Sequence, residues 1–276
     1  MASIQVNLFS KSLMRVVPIH VLLPVDKMEE PGSPVRENKP YKTLYLLHGI
    51  FGNHMDWGML ARVQALSEAY DLAIVMPSGE NAFYVDQPKS HNLYGEFIGK
   101  ELVELTRKMF PLSDKKEDTF IGGLSMGGYG AMRNGLKYHE TFGYIISLSG
   151  ALVIDGMKNR TNDSAMYWEN RDFAEAVFGD LDKVCESDNN PKYLIEGLLK
   201  EKIDIPKIYM ACGEQDFLAD ANKDFELFLK QKNIDAKVIW AEGIHDWNFW
   251  SHHIKKAVAW LPLENTGFGV GSGNVK

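Results

Sequence analysis

Short apolar runs alternate with amphipathic segments along most of this chain. Near the start, residues 4–9 and 14–23 have the pattern of an antiparallel pair of strands. Six further apolar runs are typical of buried parallel strands, and they lie at 43–47, 72–76, 119–122, 144–148, 207–211 and 237–240. Helical spacing of apolar residues predicts helices at 57–69, 93–109, 128–136, 221–231 and 247–260. This alternation predicts an α/β fold whose mostly parallel central sheet carries helices on both faces.

Residues 151–205 interrupt the alternation. They contain no convincing strand but are rich in methionine and aromatic residues, so we predict a small cap insertion over a pocket. The alternative is that these side chains fill a small core within the insertion itself. We therefore expect one domain over 1–262, with a solvated loop at 26–42 and a flexible glycine-rich tail at 263–276.

One serine stands between an apolar strand and a run of small residues. The motif Gly-Leu-Ser-Met-Gly at 123–127 follows the predicted strand at 119–122 and precedes the predicted helix at 128–136. A serine in this setting is forced onto a sharp, strained turn, which presents its hydroxyl above the sheet edge. The flanking glycines leave room for the neighbouring strand and helix. The motif therefore predicts that Ser125 is the nucleophile of covalent acyl chemistry, rather than part of a plain glycine-rich turn.

The weak nucleophilicity of a serine hydroxyl calls for a histidine base, and in this arrangement the chain order is serine, acid, histidine. Of the eight histidines, three follow an acid that itself follows the serine: His245, His252 and His253. His245 lies in the loop after the predicted strand at 237–240, so we expect it to be the base. His252 and His253 fall within the next helix, where we expect them on its exposed face.

The acid is expected in the loop after the predicted strand at 207–211, which contains Glu214 and Asp216. Asp216 lies deeper in this loop, and the apolar Phe217 and Leu218 that follow are expected to desolvate it. A buried aspartate would hold the histidine tautomer and stabilise the imidazolium as it forms. We therefore expect Asp216 to be the acid and Glu214 to be a solvated loop residue.

Acyl transfer also needs two backbone N–H donors for the oxyanion. One is expected from Met126, the residue after the nucleophile, in the first turn of the helix. The other is expected from the loop after the strand at 43–47, where Ile50 is the favoured donor and Phe51 the alternate. His48 precedes the serine in the chain, so we expect it to brace this loop by hydrogen bonding.

Composition and charge narrow the class of function. The 276 residues are 45% hydrophobic and 24% charged with a net charge of −7, which is ordinary for a globular enzyme and argues against a nucleic-acid binder. We expect no membrane span, because no apolar run is long enough, and no signal peptide, because the start alternates like an edge strand. Cys185 and Cys212 are expected to be reduced thiols of a cytoplasmic protein. No metal-ligand spacing is present and no cofactor is expected; a homo-oligomer is left open.

Five short motifs together carry a family resemblance. They are Leu-Leu-His-Gly at 46–49, Asn-His-Met-Asp-Trp at 53–57, Gly-Gly-Leu-Ser-Met-Gly-Gly at 122–128, Cys-Gly-Glu-Gln-Asp-Phe-Leu at 212–218 and Gly-Ile-His-Asp-Trp at 243–247. Over about residues 1–262 the chain resembles the esterase D or putative esterase family of α/β-hydrolases, closest to bacterial tributyrin esterases and feruloyl or acetyl-xylan esterases. The resemblance implies a carboxylesterase with a small cap, no cofactor and a preference for short or aromatic acyl groups.

Aromatic residues near the predicted pocket bear on the substrate. Phe51, Trp57, Trp168 and Trp247 are expected to stack on a sugar ring or a cinnamoyl group, although Trp57 and Trp247 are equally explained as helix-packing residues. We expect a serine carboxylesterase that hydrolyses short-chain acyl or hydroxycinnamoyl (feruloyl) esters of small molecules or plant cell-wall sugars. An S-formylglutathione hydrolase or thioesterase would use the same residues with a different leaving group. A non-catalytic ligand-binding protein of this fold would lack one member of the serine, acid and histidine set.

Overall fold

Ten strands are present in the computed structural model, which describes residues 1–27 and 39–265. They are β1 (Ala2–Ser10), β2 (Arg15–Leu23), β3 (Lys42–Leu47), β4 (Leu72–Pro77), β5 (Asp86–Gln87), β6 (Asn92–Leu93), β7 (Thr119–Leu124), β8 (Tyr144–Leu148), β9 (Lys207–Gly213) and β10 (Ala236–Ala241). All eight strands predicted from the apolar pattern are present. Most of the loop predicted at 26–42 and most of the tail predicted at 263–276 lie outside the described residues.

Eight of these strands form the central sheet, in the order β1-β2-β4-β3-β7-β8-β9-β10, while β5 and β6 form a short hairpin. Strand β2 pairs antiparallel with both β1 and β4. From β4 to β10 every neighbouring pair is parallel. The predicted mostly parallel sheet is therefore confirmed. Because these strands are parallel, the loops that follow β3, β7, β9 and β10 all leave from the same edge of the sheet.

Nine α-helices are present in the described ranges, and none of them is long and apolar enough to cross a membrane. They are α1 (Asp56–Leu60), α2 (Val63–Tyr70), α3 (Tyr94–Glu96), α4 (Leu102–Met109), α5 (Met126–Lys137), α6 (Arg171–Phe178), α7 (Pro191–Glu201), α8 (Ala219–Gln231) and α9 (Trp247–Trp260). A π-helical turn at Phe97–Glu101 joins α3 to α4, within the single helix predicted at 93–109.

The prediction of one helix over 57–69 is wrong. A non-helical residue, Arg62 with a φ of 13°, separates α1 from α2. The side chain of Gln64 donates a hydrogen bond of 2.9 Å to the carbonyl oxygen of Gly58, an acceptor near the end of α1. A side chain thus satisfies a carbonyl group that a continuous helix would have bonded through its backbone.

Apolar side chains pack on both faces of the sheet, as the predicted architecture requires. On one face, α4, α5, α8 and much of the insertion pack over strand residues such as Ile121 and Ile145. On the other face, α1, α2 and α9 pack over residues such as Leu46 and Ile146. Neighbouring positions on β8 therefore serve opposite faces, which follows from the two-residue repeat of a strand.

Residues 151–205, which the structure describes in full, form no strand, as predicted. They contain α6 and α7 together with short 3₁₀ turns. Met157 and Phe178 are buried in the main core, whereas Met166 and Tyr167 are exposed. The aromatic and methionine residues of the insertion are thus divided between packing and a solvent-facing surface.

Two buried side chains of α5 fasten the insertion to the rest of the domain. The hydroxyl of Tyr129 donates a hydrogen bond of 2.6 Å to the carbonyl oxygen of Asn189. The guanidinium of Arg133 donates to the carbonyl oxygen of Asp188 at 3.0 Å and to its carboxylate at 2.8 Å. Because α5 begins directly after Ser125, the insertion is tied to the helix that follows this serine.

Candidate active site

Ser125 lies on the turn between β7 and α5 and has a φ of 52° and a ψ of −117°. Few residues other than glycine adopt a positive φ, and such strain is concentrated at functional sites. The turn is held by a hydrogen bond of 2.9 Å from the Ser125 N–H to the carbonyl oxygen of Leu148. A Cβ on Gly123 would overlap the backbone of Gly127, and one on Gly127 would overlap the carbonyl oxygen of Leu47. Only glycine fits at positions 123 and 127, two residues before and two residues after this serine.

The structure brings Ser125, His245 and Asp216 into one hydrogen-bonded chain. The Nε2 atom of His245 lies 3.0 Å from the Oγ of Ser125. The Nδ1 atom of His245 lies 2.9 and 3.0 Å from the two carboxylate oxygens of Asp216. Since a carboxylate only accepts hydrogen bonds, the imidazole carries its proton on Nδ1, which leaves Nε2 free to accept the serine proton.

Asp216 is buried and ionised. Burial by itself raises the pKa of this carboxyl, but the hydrogen bonds from His245 and from the Leu218 amide outweigh it and hold the pKa below its ordinary value. Leu218 is buried, whereas the side chain of Phe217 turns outward to solvent and does not cover the acid. Glu214 is exposed, in agreement with its expected place as a solvated loop residue.

The two histidines of α9 have different environments. His252 is exposed, as predicted. The same prediction is wrong for His253, which is only 2% exposed and stacks on Phe249 with 4.1 Å between ring centroids. His253 lies four positions after Phe249, so both fall on the buried stripe of the helix.

The loop after β3 lies directly against the serine. A Cβ placed on Gly49 would lie 3.6 Å from the Cβ of Ser125. The N–H of Phe51 donates a hydrogen bond of 2.8 Å to the side-chain oxygen of Asn81, so this donor is already engaged. The geometry therefore favours Ile50 over Phe51 as an oxyanion donor. Met126 is the first residue of α5, where backbone N–H groups have no acceptor within the helix.

His48 braces this loop. Its Nε2 accepts a hydrogen bond of 2.8 Å from the Gly79 N–H, and its Nδ1 lies 2.7 Å from the carbonyl oxygen of Gly49. The hydroxyl of the buried Tyr84 donates to the carbonyl oxygen of His48 at 3.0 Å. Burial lowers the pKa of His48, so the ring is neutral with its proton on Nδ1. The expectation that His48 holds the loop by hydrogen bonds agrees with this geometry.

The four aromatic residues expected at the substrate site divide into two pairs. Trp57 is only 1% exposed and donates its indole N–H to the carbonyl oxygen of Leu47 at 2.9 Å, so a substrate-stacking role for it is wrong. The half-buried Trp247 packs edge-on against Trp57, with 5.2 Å between centroids, and the packing interpretation accounts for both. Phe51 and Trp168, by contrast, meet edge-on at 5.0 Å and keep exposed surface.

Two aromatic residues that touch His245 were not anticipated. The ring of Phe217 lies 4.4 Å from the imidazole, centroid to centroid, and Trp250 meets the same imidazole edge-on at 4.8 Å. The indole N–H of Trp250 donates to the Oγ of Ser149 at 3.1 Å. For Phe217, the only feature of the sequence that indicated a place near His245 is that it directly follows the acid. No feature of the sequence indicated that Trp250 contacts His245, because helical periodicity predicts only a core residue there.

In residues 1–27 and 39–265, no group of three His, Cys, Asp or Glu side chains is placed to hold a metal ion.

A sequence model of the family described as "Putative esterase" matches residues 10–261. The chain is 46% identical over 261 residues to an acetyl esterase from Caldicellulosiruptor saccharolyticus, covering 95% of this chain and 98% of that protein.

Two solved structures from Staphylococcus aureus are also similar. The fluorophosphonate-binding serine hydrolase FphF is 30% identical with a TM-score of 0.81, and the match covers 94% of this chain and 98% of that one. The S-formylglutathione hydrolase FrmB is 29% identical with a TM-score of 0.79, over the same shares of the two chains. Both likenesses therefore extend over the sheet and the insertion alike.

Proposed function

This chain belongs to the putative esterase family and is a serine ester hydrolase, and on that premise we propose that it removes acetyl and other short acyl groups from small-molecule or sugar-linked esters through an acyl-enzyme on Ser125. The hydrogen-bonded chain from Ser125 through His245 to Asp216 is the observation that carries the proposal. Similarity to the acetyl esterase supports the choice of a short acyl group. Hydroxycinnamoyl esters are the second acyl class to be tested.

In the acylation step, the Oγ of Ser125 attacks the ester carbonyl carbon while His245 Nε2 takes the hydroxyl proton. Asp216 stays ionised, holds the imidazole through its Nδ1–H and stabilises the imidazolium. The tetrahedral intermediate then loses its bond to the alcohol oxygen, and His245 donates its Nε2 proton to that oxygen. The alcohol departs and the acyl group remains on the serine.

The negative oxygen of the intermediate is stabilised by the N–H groups of Met126 and Ile50. In the second half of the reaction, water replaces the alcohol. His245 takes a proton from the water as it attacks the acyl carbon. The bond from that carbon to Ser125 Oγ then breaks, His245 gives the proton to Oγ, and the carboxylic acid departs. Apart from the ester and water, the proposed cycle uses only groups of the protein.

We also propose that the insertion at 151–205 is the cap of this site and takes part in choosing the substrate. The contact between Trp168 and Phe51 supports the idea, because Phe51 directly follows the proposed oxyanion donor Ile50. The bonds from α5 to Asn189 and Asp188 keep the insertion beside the nucleophile helix.

The direct test is hydrolysis of 4-nitrophenyl acetate, followed by a panel of methyl ferulate, acetylated xylan and S-formylglutathione. We expect the acetyl esters to be the better substrates. A fluorophosphonate probe should modify one residue, and peptide mass spectrometry should place the adduct on Ser125. An adduct on another serine, or no hydrolysis of any ester, would contradict the proposal.

S-formylglutathione hydrolysis is the second candidate, and the likeness to FrmB favours it. The same serine, histidine and aspartate would act on a formyl thioester, with a thiol as the leaving group. A value of kcat/KM for S-formylglutathione well above that for 4-nitrophenyl acetate would decide for this candidate.

A cytoplasmic location is also proposed. Cys185 is half-buried and Cys212 is buried, and both are free thiols, as is usual in a reducing compartment. Fractionation of the producing cells should recover the esterase activity with cytosolic markers.

A further inference from the structure

One large apolar side chain at the site faces solvent. Phe217 is 76% exposed, although its chain neighbours Asp216 and Leu218 are both buried. Its ring lies 4.4 Å from the imidazole of His245, centroid to centroid, with the two ring planes inclined at 48°. A phenylalanine this exposed contributes little to the core, so most of its apolar surface is open to a ligand.

The reaction places the two parts of an ester on different sides of the serine. The carbonyl oxygen must point to the N–H groups of Met126 and Ile50. The alcohol oxygen must lie within reach of His245 Nε2, since it receives the proton from that atom. The alcohol therefore leaves past the imidazole, and Phe217 is the exposed aromatic side chain that packs on this imidazole.

A second exposed apolar side chain lies in the loop that carries the base. Ile244, which directly precedes His245, is 55% exposed. The loop with the acid and the loop with the base thus each carry one exposed apolar residue directly beside a proposed catalytic residue in the sequence, and the ring of Phe217 lies against the imidazole. An exposed apolar surface beside a reacting group is typical of a binding site for an apolar group.

We propose that Phe217 forms an apolar subsite for the alcohol part of the ester, so that the enzyme favours acetate esters of aromatic or other apolar alcohols. This inference rests on the proposed function and adds the chemistry of the leaving group to it. Phe217 is here a specificity-determining residue, and the bond-making steps stay with Ser125 and His245.

A different role for the ring would be to hold the imidazole in place. The two roles differ in the half-reactions that they affect. The acetyl-enzyme is the same whichever alcohol has left, so a residue that contacts only the alcohol changes acylation and leaves deacylation alone. A residue that positions His245 changes both steps, because the same imidazole activates the water.

The experiment compares the wild-type enzyme with Phe217→Leu and Phe217→Ala on two acetate esters, 2-naphthyl acetate and ethyl acetate. We expect the ratio of their kcat/KM values to fall by about 10-fold in Phe217→Ala, and by less in Phe217→Leu, which keeps an apolar side chain. The decay of the acetyl adduct, followed by intact-protein mass spectrometry, should keep its wild-type rate. Phe9→Ala is the matched control, because Phe9 is 61% exposed on β1, which β2, β4 and β3 separate from β7.

An equal fall in kcat/KM for both esters, or a slower decay of the adduct, would overturn the subsite and assign Phe217 to the positioning of His245. An unchanged ratio in Phe217→Ala would overturn it as well. Lack of acetate hydrolysis by the wild-type enzyme would instead refute the proposed function, and the subsite would fall with it.

Discussion

The indole of Trp168 packs edge-on against the ring of Phe51, with 5.0 Å between the ring centroids. Trp168 belongs to the insertion at 151–205, whereas Phe51 belongs to the loop that lies against Ser125. One aromatic contact therefore joins a segment that supplies none of the proposed reacting groups to the loop that contains the proposed oxyanion donor Ile50. The proposed role of the insertion in substrate choice rests on this contact.

Trp168→Ala should change which ester is preferred. We expect the ratio of activity on methyl ferulate to activity on 4-nitrophenyl acetate to change by about 10-fold, because an aromatic surface next to the site is lost. The thermal midpoint should move little. Tyr167→Ala is the control, since this neighbouring exposed ring packs on Phe173 instead. A lower thermal midpoint with an unchanged ratio would make Trp168 a packing residue only.

Ser125→Ala should abolish ester hydrolysis and leave the fold intact. The variant lacks the oxygen that forms the acyl-enzyme, so turnover should fall by roughly 10⁴-fold or more. Circular dichroism should show an unchanged fold. A folded variant that retains a tenth of the wild-type turnover would exclude Ser125 as the nucleophile.

His245→Ala should be nearly as damaging, since the base and acid of both half-reactions is removed. His252→Ala should keep most of the wild-type kcat, because His252 is exposed on α9. Initial rates with 4-nitrophenyl acetate compare the two variants directly. Loss of activity in His252→Ala rather than in His245→Ala would show that the base is on α9 and not in the loop after β10.

Asp216→Asn should lower kcat strongly and leave KM nearly unchanged. The amide offers an N–H to His245 and so favours the imidazole tautomer that cannot accept the serine proton, at a cost of about 10⁴-fold in turnover. Glu214→Gln is the control in the same loop, and its effect should be mild because Glu214 is exposed. The reverse pattern would make Glu214 the acid.

His253 should make the stability depend on pH. Burial, helped by Lys256 and His252, lowers the pKa of His253 to about 4, whereas an unfolded histidine titrates near about 6.5. Between these values the unfolded chain binds a proton that the folded chain does not. The free energy of unfolding should therefore fall as the pH drops from about 6.5 toward 4.

Urea unfolding at pH 7 and pH 5 measures this effect. The free energy of unfolding should fall by about 2 kcal/mol, because each pH unit below about 6.5 contributes about 1.4 kcal/mol. His253→Leu should remove that part of the pH dependence, whereas His252→Ala should keep it. Equal pH dependence in wild type and His253→Leu would show that other groups are responsible.

Much of the fold and of the site follows from local sequence. The apolar runs predicted the strands because a strand that is buried on both faces appears in the sequence as four to six consecutive apolar residues. Ser125 stood out because the glycines at 123 and 127 are required by close backbone contacts on each side. The chain order then selected Asp216 and His245, since the loops after parallel strands meet at one edge of the sheet.

By itself, the sequence determined the α/β fold and the choice of Ser125, Asp216 and His245, because these depend on local patterns and on their order along the chain. Only the tertiary structure decided that Trp57 is buried, that His253 lies on the inner stripe of α9, and that Phe217 is exposed over His245. It also showed that the N–H of Phe51 is bonded to Asn81, thirty residues further along the chain, which favours Ile50 as the proposed oxyanion donor. Burial and hydrogen-bond partners depend on which distant segments come together, and a repeat of two or four residues does not contain that information.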